Sequence, residues 1–93
     1  NFIRRKSMEE TKVIKVLLLS SQEIVVSEIE EIAAEFGDPN CKLTKPYKIE
    51  DGALHKWMED YTEQNEVMIN SDKIITLVTP SPMIFEQYSK ATS

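Results

Sequence analysis

Cysteine and histidine are almost missing: Cys41 and His55 are the only ones in 93 residues. A single cysteine excludes a disulfide within the chain, and one residue of each type leaves too few ligands for a Cys/His zinc site. The lack of paired cysteines fits a reducing compartment. Glycine is scarce too. Gly37 and Gly52 stand alone, so no glycine-rich loop is available to cradle a phosphate. No uninterrupted apolar stretch approaches the roughly 18 residues of a membrane-spanning helix. The longest runs, Val13 to Leu19 and Ile74 to Val78, have the length of strands. No charged opening followed by an apolar segment and a small-residue cleavage site reads as a secretory leader. Positive charge is also in deficit: 11 Lys and Arg oppose 16 Asp and Glu, a net charge of -5. That is the wrong sign for a protein that coats nucleic acid by bulk electrostatics, although a local basic patch remains compatible with it.

What is present suits one small folded domain. Hydrophobic residues make up 41% of the chain, too many for a disordered segment. The chain opens on Asn1, and Met8 stands just before the first patterned run as a candidate native start. Residues 1–10 are expected to form a flexible extension and residues 11–93 the domain. Within the extension Arg4, Arg5 and Lys6 are available to phosphates, though a solvated tail is the plainer reading.

Several runs have strand character. Lys12 to Leu19 is almost continuously apolar. Ser20 to Glu23 is short enough for a hairpin turn, and Ile24-Val25-Val26 resumes with β-branched residues. The next segment admits two structures. Ser27 and Glu30 have capping-box spacing, and Ile29, Ile32, Ala33 and Phe36 follow a helical period with Gly37 as a stop. Alternatively a long bent strand runs from Glu23 to about Ala34, turning at Asp38-Pro39. Cys41 to Ile49 alternates: Cys41, Leu43, Tyr47 and Ile49 share one face, and Lys42, Thr44, Pro46 and Lys48 the other. Pro46 removes a ladder donor, which predicts an edge or a bulge there. Glu50-Asp51-Gly52 is a turn. Leu54, Trp57, Met58 and Tyr61 fit either a helical face or a bent strand. Val67 to Ile69 and Ile74 to Thr79 are strands on either side of Ser71-Asp72-Lys73. Ser81-Pro82 reads as a helix N-cap and first position. A short helix follows from Met83 to Ser89, with Ile84, Tyr88 and Phe85 as its inward candidates.

At "DKIITLVTPSP" the chain resembles the second motif of the Sm-like proteins of the LSm and Hfq type. In the bacterial members a Lys-His pair opens a last strand of the form apolar-Ser-Thr-Val-Val-Pro-Ser. "KVIKVLLLSSQEIVVSEIEEI" resembles the first motif, in which one strand turns into a long, bent second strand. The spacing and the Asp-Pro turn are similar to those of Sm-like proteins encoded by cyanophages and related marine phages. The resemblance spans roughly Thr11 to Tyr88. It implies a mostly β fold: a five-stranded, strongly bent antiparallel sheet forming a small open barrel, with a short C-terminal helix. It also favours the strand reading of Ser27 to Phe36.

The resemblance further implies a homo-oligomeric ring, roughly five to seven subunits in this family, closed by head-to-tail strand pairing. Val67, Ile69, Ile74, Ile75, Leu77 and Val78 are the interface candidates. A monomeric core strand covered by the terminal helix is the alternative. RNA binding or a role in RNA metabolism is the implied function, in the cytoplasm of the host cell if phage-encoded. The positions matching the family's RNA-contacting turn are Ser71, Asp72 and Lys73. They lack an aromatic platform, and an acid replaces a base, so Lys73 alone carries over as a phosphate contact. Lys42 and Lys48, with Lys56 and interleaved Tyr47 and Trp57, form a second candidate surface for single-stranded RNA. Core aromatics beside solvated lysines explain the same residues more simply.

Glu23, Glu28, Glu30, Glu31 and Glu35 form an acidic band that suits solvent or a basic host protein. A ring scaffold for protein interaction, without nucleic-acid binding, is therefore the alternative function. Catalysis, cofactors, metals and a membrane partner are not expected. One His and one strand-borne Cys make no triad, and adjacent Glu59 and Asp60 on a strand would point to opposite faces.

Overall fold

The computed structural model describes residues 13–93. The expected extension, with Arg4, Arg5 and Lys6, lies outside the described residues. The fold is mostly β, with six antiparallel strands and one short C-terminal helix. The strands are β1 (Val13–Leu19), β2 (Ile24–Glu31), β3 (Cys41–Glu50), β4 (Ala53–Lys56), β5 (Glu66–Ile69) and β6 (Ile74–Val78), and the helix is α1 (Pro82–Thr92). They form one sheet in the order β4-β3-β2-β1-β6, with β5 also paired to β3.

Each hairpin has its own local cause. Between β1 and β2 the amide of Gln22 donates to the Leu19 carbonyl at 2.8 Å, and Gln22 takes a positive φ of 78°. This is the three-residue loop that closes on a left-handed position. Between β3 and β4, Asp51 and Gly52 both have positive φ, and Glu50 faces Ala53. Both central residues of a tight two-residue hairpin need that conformation, which Asp-Gly supplies at low cost.

The segment Ser27 to Phe36 is strand as far as Glu31 and irregular beyond it, not helix. Sheet partners decide this: Glu28 to Glu31 pair in register with Thr44 to Cys41, so tertiary pairing overrides the helical period. The following turn begins at Glu35, three positions earlier than the expected one that began at Asp38. The Asp38 amide donates to the Glu35 carbonyl, placing Gly37 (φ 93°) at the position that needs it.

The register shifts twice: between β1 and β6, where Leu18 faces Thr76 and Leu19 faces Ile74 so that Ile75 is the extra residue, and between β2 and β3, where a bulge organises the sheet. Val26 faces Tyr47, but Glu28 faces Thr44, so Ser27 opposes both Lys45 and Pro46. Lys45 has a φ of 54°, the left-handed conformation of a bulge residue. Beyond it the alternation of β3 reverses. Leu43 shares the face of Ile29, whereas Tyr47 shares the opposite face with Val26. The expected single face of Cys41, Leu43, Tyr47 and Ile49 is therefore split, and Lys42 and Lys48 point to opposite sides.

The bulge also explains why there are six strands and not five. Tyr47 faces Lys56 and Thr44 faces Glu66. Three steps along β3 thus correspond to ten along its partner. A fourth strand is interrupted by a looped-out segment, leaving β4 and β5 in line along the same edge of β3.

The sheet curls. β5 and β6 lie at opposite edges, yet only Asn70 and the 3₁₀ turn Ser71–Lys73 join them. In a flat sheet the intervening strands would separate them by roughly 19 Å at about 4.8 Å per strand. The Ser20 amide reaches the Lys73 carbonyl at 2.8 Å, drawing that turn against the β1–β2 hairpin. Leu17, Leu19, Val25 and Leu43 fill the inside of the curl, with Ile29, Trp57, Ile69 and Ile74 packed against them.

Helix α1 covers the outer face. Ser81 caps it by accepting from the Ile84 amide at 3.2 Å, and Pro82 opens it. Tyr88 is the buried anchor, at 1% exposure. Ile84 is half-buried, but Phe85, expected inside, is 48% exposed. Among the described residues no helix is long and apolar enough to cross a membrane.

Candidate assembly and nucleic-acid interface

Helix docking and the bulge share one hydrogen-bonded cluster. A bulge leaves backbone groups outside the strand ladder. The Tyr88 hydroxyl accepts from the Glu28 amide at 3.2 Å and lies 2.8 Å from the Lys45 carbonyl and 3.0 Å from that of Thr44. Buried Ser27 adds its hydroxyl, 2.8 Å from the Glu28 carbonyl and 3.1 Å from that of Thr44. Tyr47 meets the Tyr88 ring edge-on at 5.9 Å and donates to the Ala91 carbonyl at 3.3 Å. Burial pushes the Tyr88 phenol up to about 12.

The turn Ser71–Lys73 is held from both sides. Asn40, at the end of the β2–β3 loop, donates from its side chain to the Ser71 hydroxyl at 3.1 Å and accepts the Ser71 amide at 2.8 Å. Asn70 accepts the Asp72 amide at 3.3 Å. Ser71, Asp72 and Lys73 are all exposed, and among the described residues Lys73 makes no ion pair. Asn40 was not singled out from sequence; an Asn after a Pro reads only as a loop residue, and its partner lies 31 positions away.

The other basic candidates are engaged elsewhere. Lys42 lies 3.6 Å from Glu30 and 4.0 Å from Glu66 on the outer face. Lys48 lies 3.6 Å from Glu23 and 3.9 Å from Glu50 on the other side of the sheet. Trp57 packs on the core and donates to Glu23 at 3.4 Å. Lys42 and Lys48 therefore do not form one surface with the turn, and each is locally neutralised. The acidic segment is likewise divided, since Glu30 and Glu31 project to opposite faces of β2.

The interface candidates split between the two sheet edges. On β5, Val67 and Ile69 share the inner face with Leu43 and Cys41, their partners on β3. On β6, Ile74 packs on the core, whereas Ile75, Leu77 and Val78 are 58%, 46% and 49% exposed. Leu77 faces Leu17 and so belongs to the inner face, and Val78 to the outer. Beside them lies a groove of about 660 Å³ lined by Val13, Ile29, Cys41, Ile74, Ile75 and Leu77. Burial, then the Glu31 carboxylate, raises the Cys41 thiol above its ordinary value. Among the described residues, no three His, Cys, Asp or Glu side chains come together to hold a metal ion.

A family model described as a family of unknown function, DUF6561, matches residues 12–93. The chain belongs to DUF6561. The DUF6561 match takes in every element from β1 to α1, so the bulge, the held turn and both sheet edges lie inside the family domain. No curated protein matches the chain.

Proposed function

We propose that the protein is a subunit of a homo-oligomeric, Sm-like ring in which the free edge of β6 pairs with β5 of the next copy. The observation that carries this reading is the state of β6. Among the described residues its outer edge has no strand partner, and Ile75, Leu77 and Val78 are apolar and half-exposed, with Leu77 on the inner face and Val78 on the outer. An unpaired apolar edge is a template for another strand. The other edge that is unpaired among the described residues, β5, supplies an inner face of Val67 and Ile69 to set beside Ile75 and Leu77. Two different complementary edges make a head-to-tail contact, which closes into a ring when the rotation permits. The short 3₁₀ turn joining β5 to β6 supports the Sm-like reading, in which a short turn precedes the last strand.

RNA binding in such a ring falls to Lys73, repeated once per subunit on a turn pinned by Asn40. The test is fluorescence anisotropy with labelled single-stranded RNA at low and moderate salt. Salt-sensitive binding that Lys73→Glu abolishes is the expected result. Absence of binding at low salt overturns the RNA role.

A protein-interaction scaffold is the second reading. It is favoured by the pairing of Lys42 and Lys48 with glutamates, which removes both from the supply of phosphate contacts. Recovery of nucleic acid without any protein partner in a pull-down contradicts it.

A further inference from the structure

A strand edge is a narrow contact, and the exposed apolar surface here does not end at the edge. Among the described residues, Val13, Ile75, Leu77, Val78, Met83 and Phe85 are exposed large hydrophobics on β6, at the start of β1 or in the first turn of α1, whereas Ile24, Phe36, Met58, Tyr61 and Met68 are exposed elsewhere. The chain turns at Pro80 from β6 into α1, which sets that first turn beside the outer face of β6. A mostly apolar groove of about 600 Å³ lies between that turn and the start of β1, just past the end of β6, lined by Val13, Ile14, Thr79, Pro80, Pro82 and Phe85.

The opposite edge carries a matching projection. Met68 faces Lys42 on the outer face of the sheet, between the inward Val67 and Ile69, and is 45% exposed. A β5 strand added to β6 keeps one continuous sheet, so its outward side chain arrives on the same face as Val78 and the groove. Charge matches as well. The segment 63–69 carries no cation, and its Glu63 makes no ion pair among the described residues, whereas Glu66 lies 4.0 Å from Lys42. Lys15 and Lys73 flank β6, and neither makes an ion pair among the described residues.

We propose that the docking surface for the second copy extends from β6 onto the first turn of α1, where the groove of Phe85, Ile14 and Pro80 receives the neighbour's Met68 and exposed Met83 borders the contact. This inference rests on the ring reading above and adds a contact made by the helix. It gives Met83 and Phe85 a reason to remain apolar while facing water in a single copy.

The experiment is light scattering on gel filtration across a dilution series, with wild type, Phe85→Glu, Met83→Glu and Met68→Glu compared. Circular dichroism melts check that each variant folds. Truncating or charging a central apolar anchor weakens an interface by roughly tenfold or more. Each folded variant is therefore expected to dissociate at a concentration at least about tenfold higher than wild type. If wild type is oligomeric and both folded helix variants keep its mass over the whole series, the helix contact is overturned and the ring stands. If wild type itself is a monomer, the ring reading falls and takes this contact with it.

Discussion

Tyr88 is the residue on which helix, bulge and sheet meet. Its hydroxyl serves backbone groups that the β2–β3 ladder cannot reach, and its ring fills the space beneath α1. Removing a hydroxyl that satisfies buried backbone groups costs about 1–3 kcal/mol. Tyr88→Phe is expected to lower unfolding stability in urea by that amount with the fold retained. The same residue sets an alkaline limit. The folded phenol is raised to about 12 from an ordinary value of 10, chiefly by burial, so between these values the folded state holds a proton that the unfolded state has lost. Its contribution is complete below pH 10 and is lost as the pH rises through about 12. Stability measured from pH 9 to 12 should fall more steeply in wild type than in Tyr88→Phe. Cys41 makes a separate prediction. At 6% exposure and with its thiol raised, it should resist a thiol reagent in the folded protein and react once urea unfolds the chain. An inward Tyr88 was legible from the spacing after Ser81-Pro82. Its partners were not, because the groups it serves exist only once the bulge has formed.

Among the elements, β1 and the hairpin turns announce themselves through β-branched and apolar runs punctuated by Ser-Ser-Gln and Asp-Gly. Gly52 shows how local that code is. Its φ of 77° disfavours any side chain, although nothing lies within 4 Å of an added Cβ. Gly52→Ala should therefore cost about 1–2 kcal/mol from backbone strain alone, read as a shift in the urea midpoint. Strand β3 was legible in type but not in detail. Pro46 signalled an irregularity, yet the sequence could not say that Lys45 would take the left-handed position and reverse the faces beyond it. For that reason Lys42 and Lys48 looked like one basic surface and are in fact on opposite sides. The interrupted strand is a related case: Leu54, Trp57 and Met58 fit two periods because they span the end of β4 and the start of the looped-out segment. On β6, Ile75→Asp with Leu77→Asp should leave the melting temperature of a single copy nearly unchanged, since both side chains are half-exposed, while abolishing assembly.

For the whole molecule, a sheet curled so far that its two edges are joined by one short turn leaves an inner face open along β6. A lone copy would hold Ile75, Leu77, Val78, Met83 and Phe85 against water. Such a patch on a small protein marks an interaction site. The assembly proposed above, through β6 and β5, would cover the β6 part of it, and the RNA and scaffold readings both presuppose that assembly. The most direct test is the native mass of wild-type protein by multi-angle light scattering on a gel-filtration column. A single discrete species at a whole-number multiple of the subunit mass, stable to dilution, is the expected result. A clean monomer at every concentration would contradict the account.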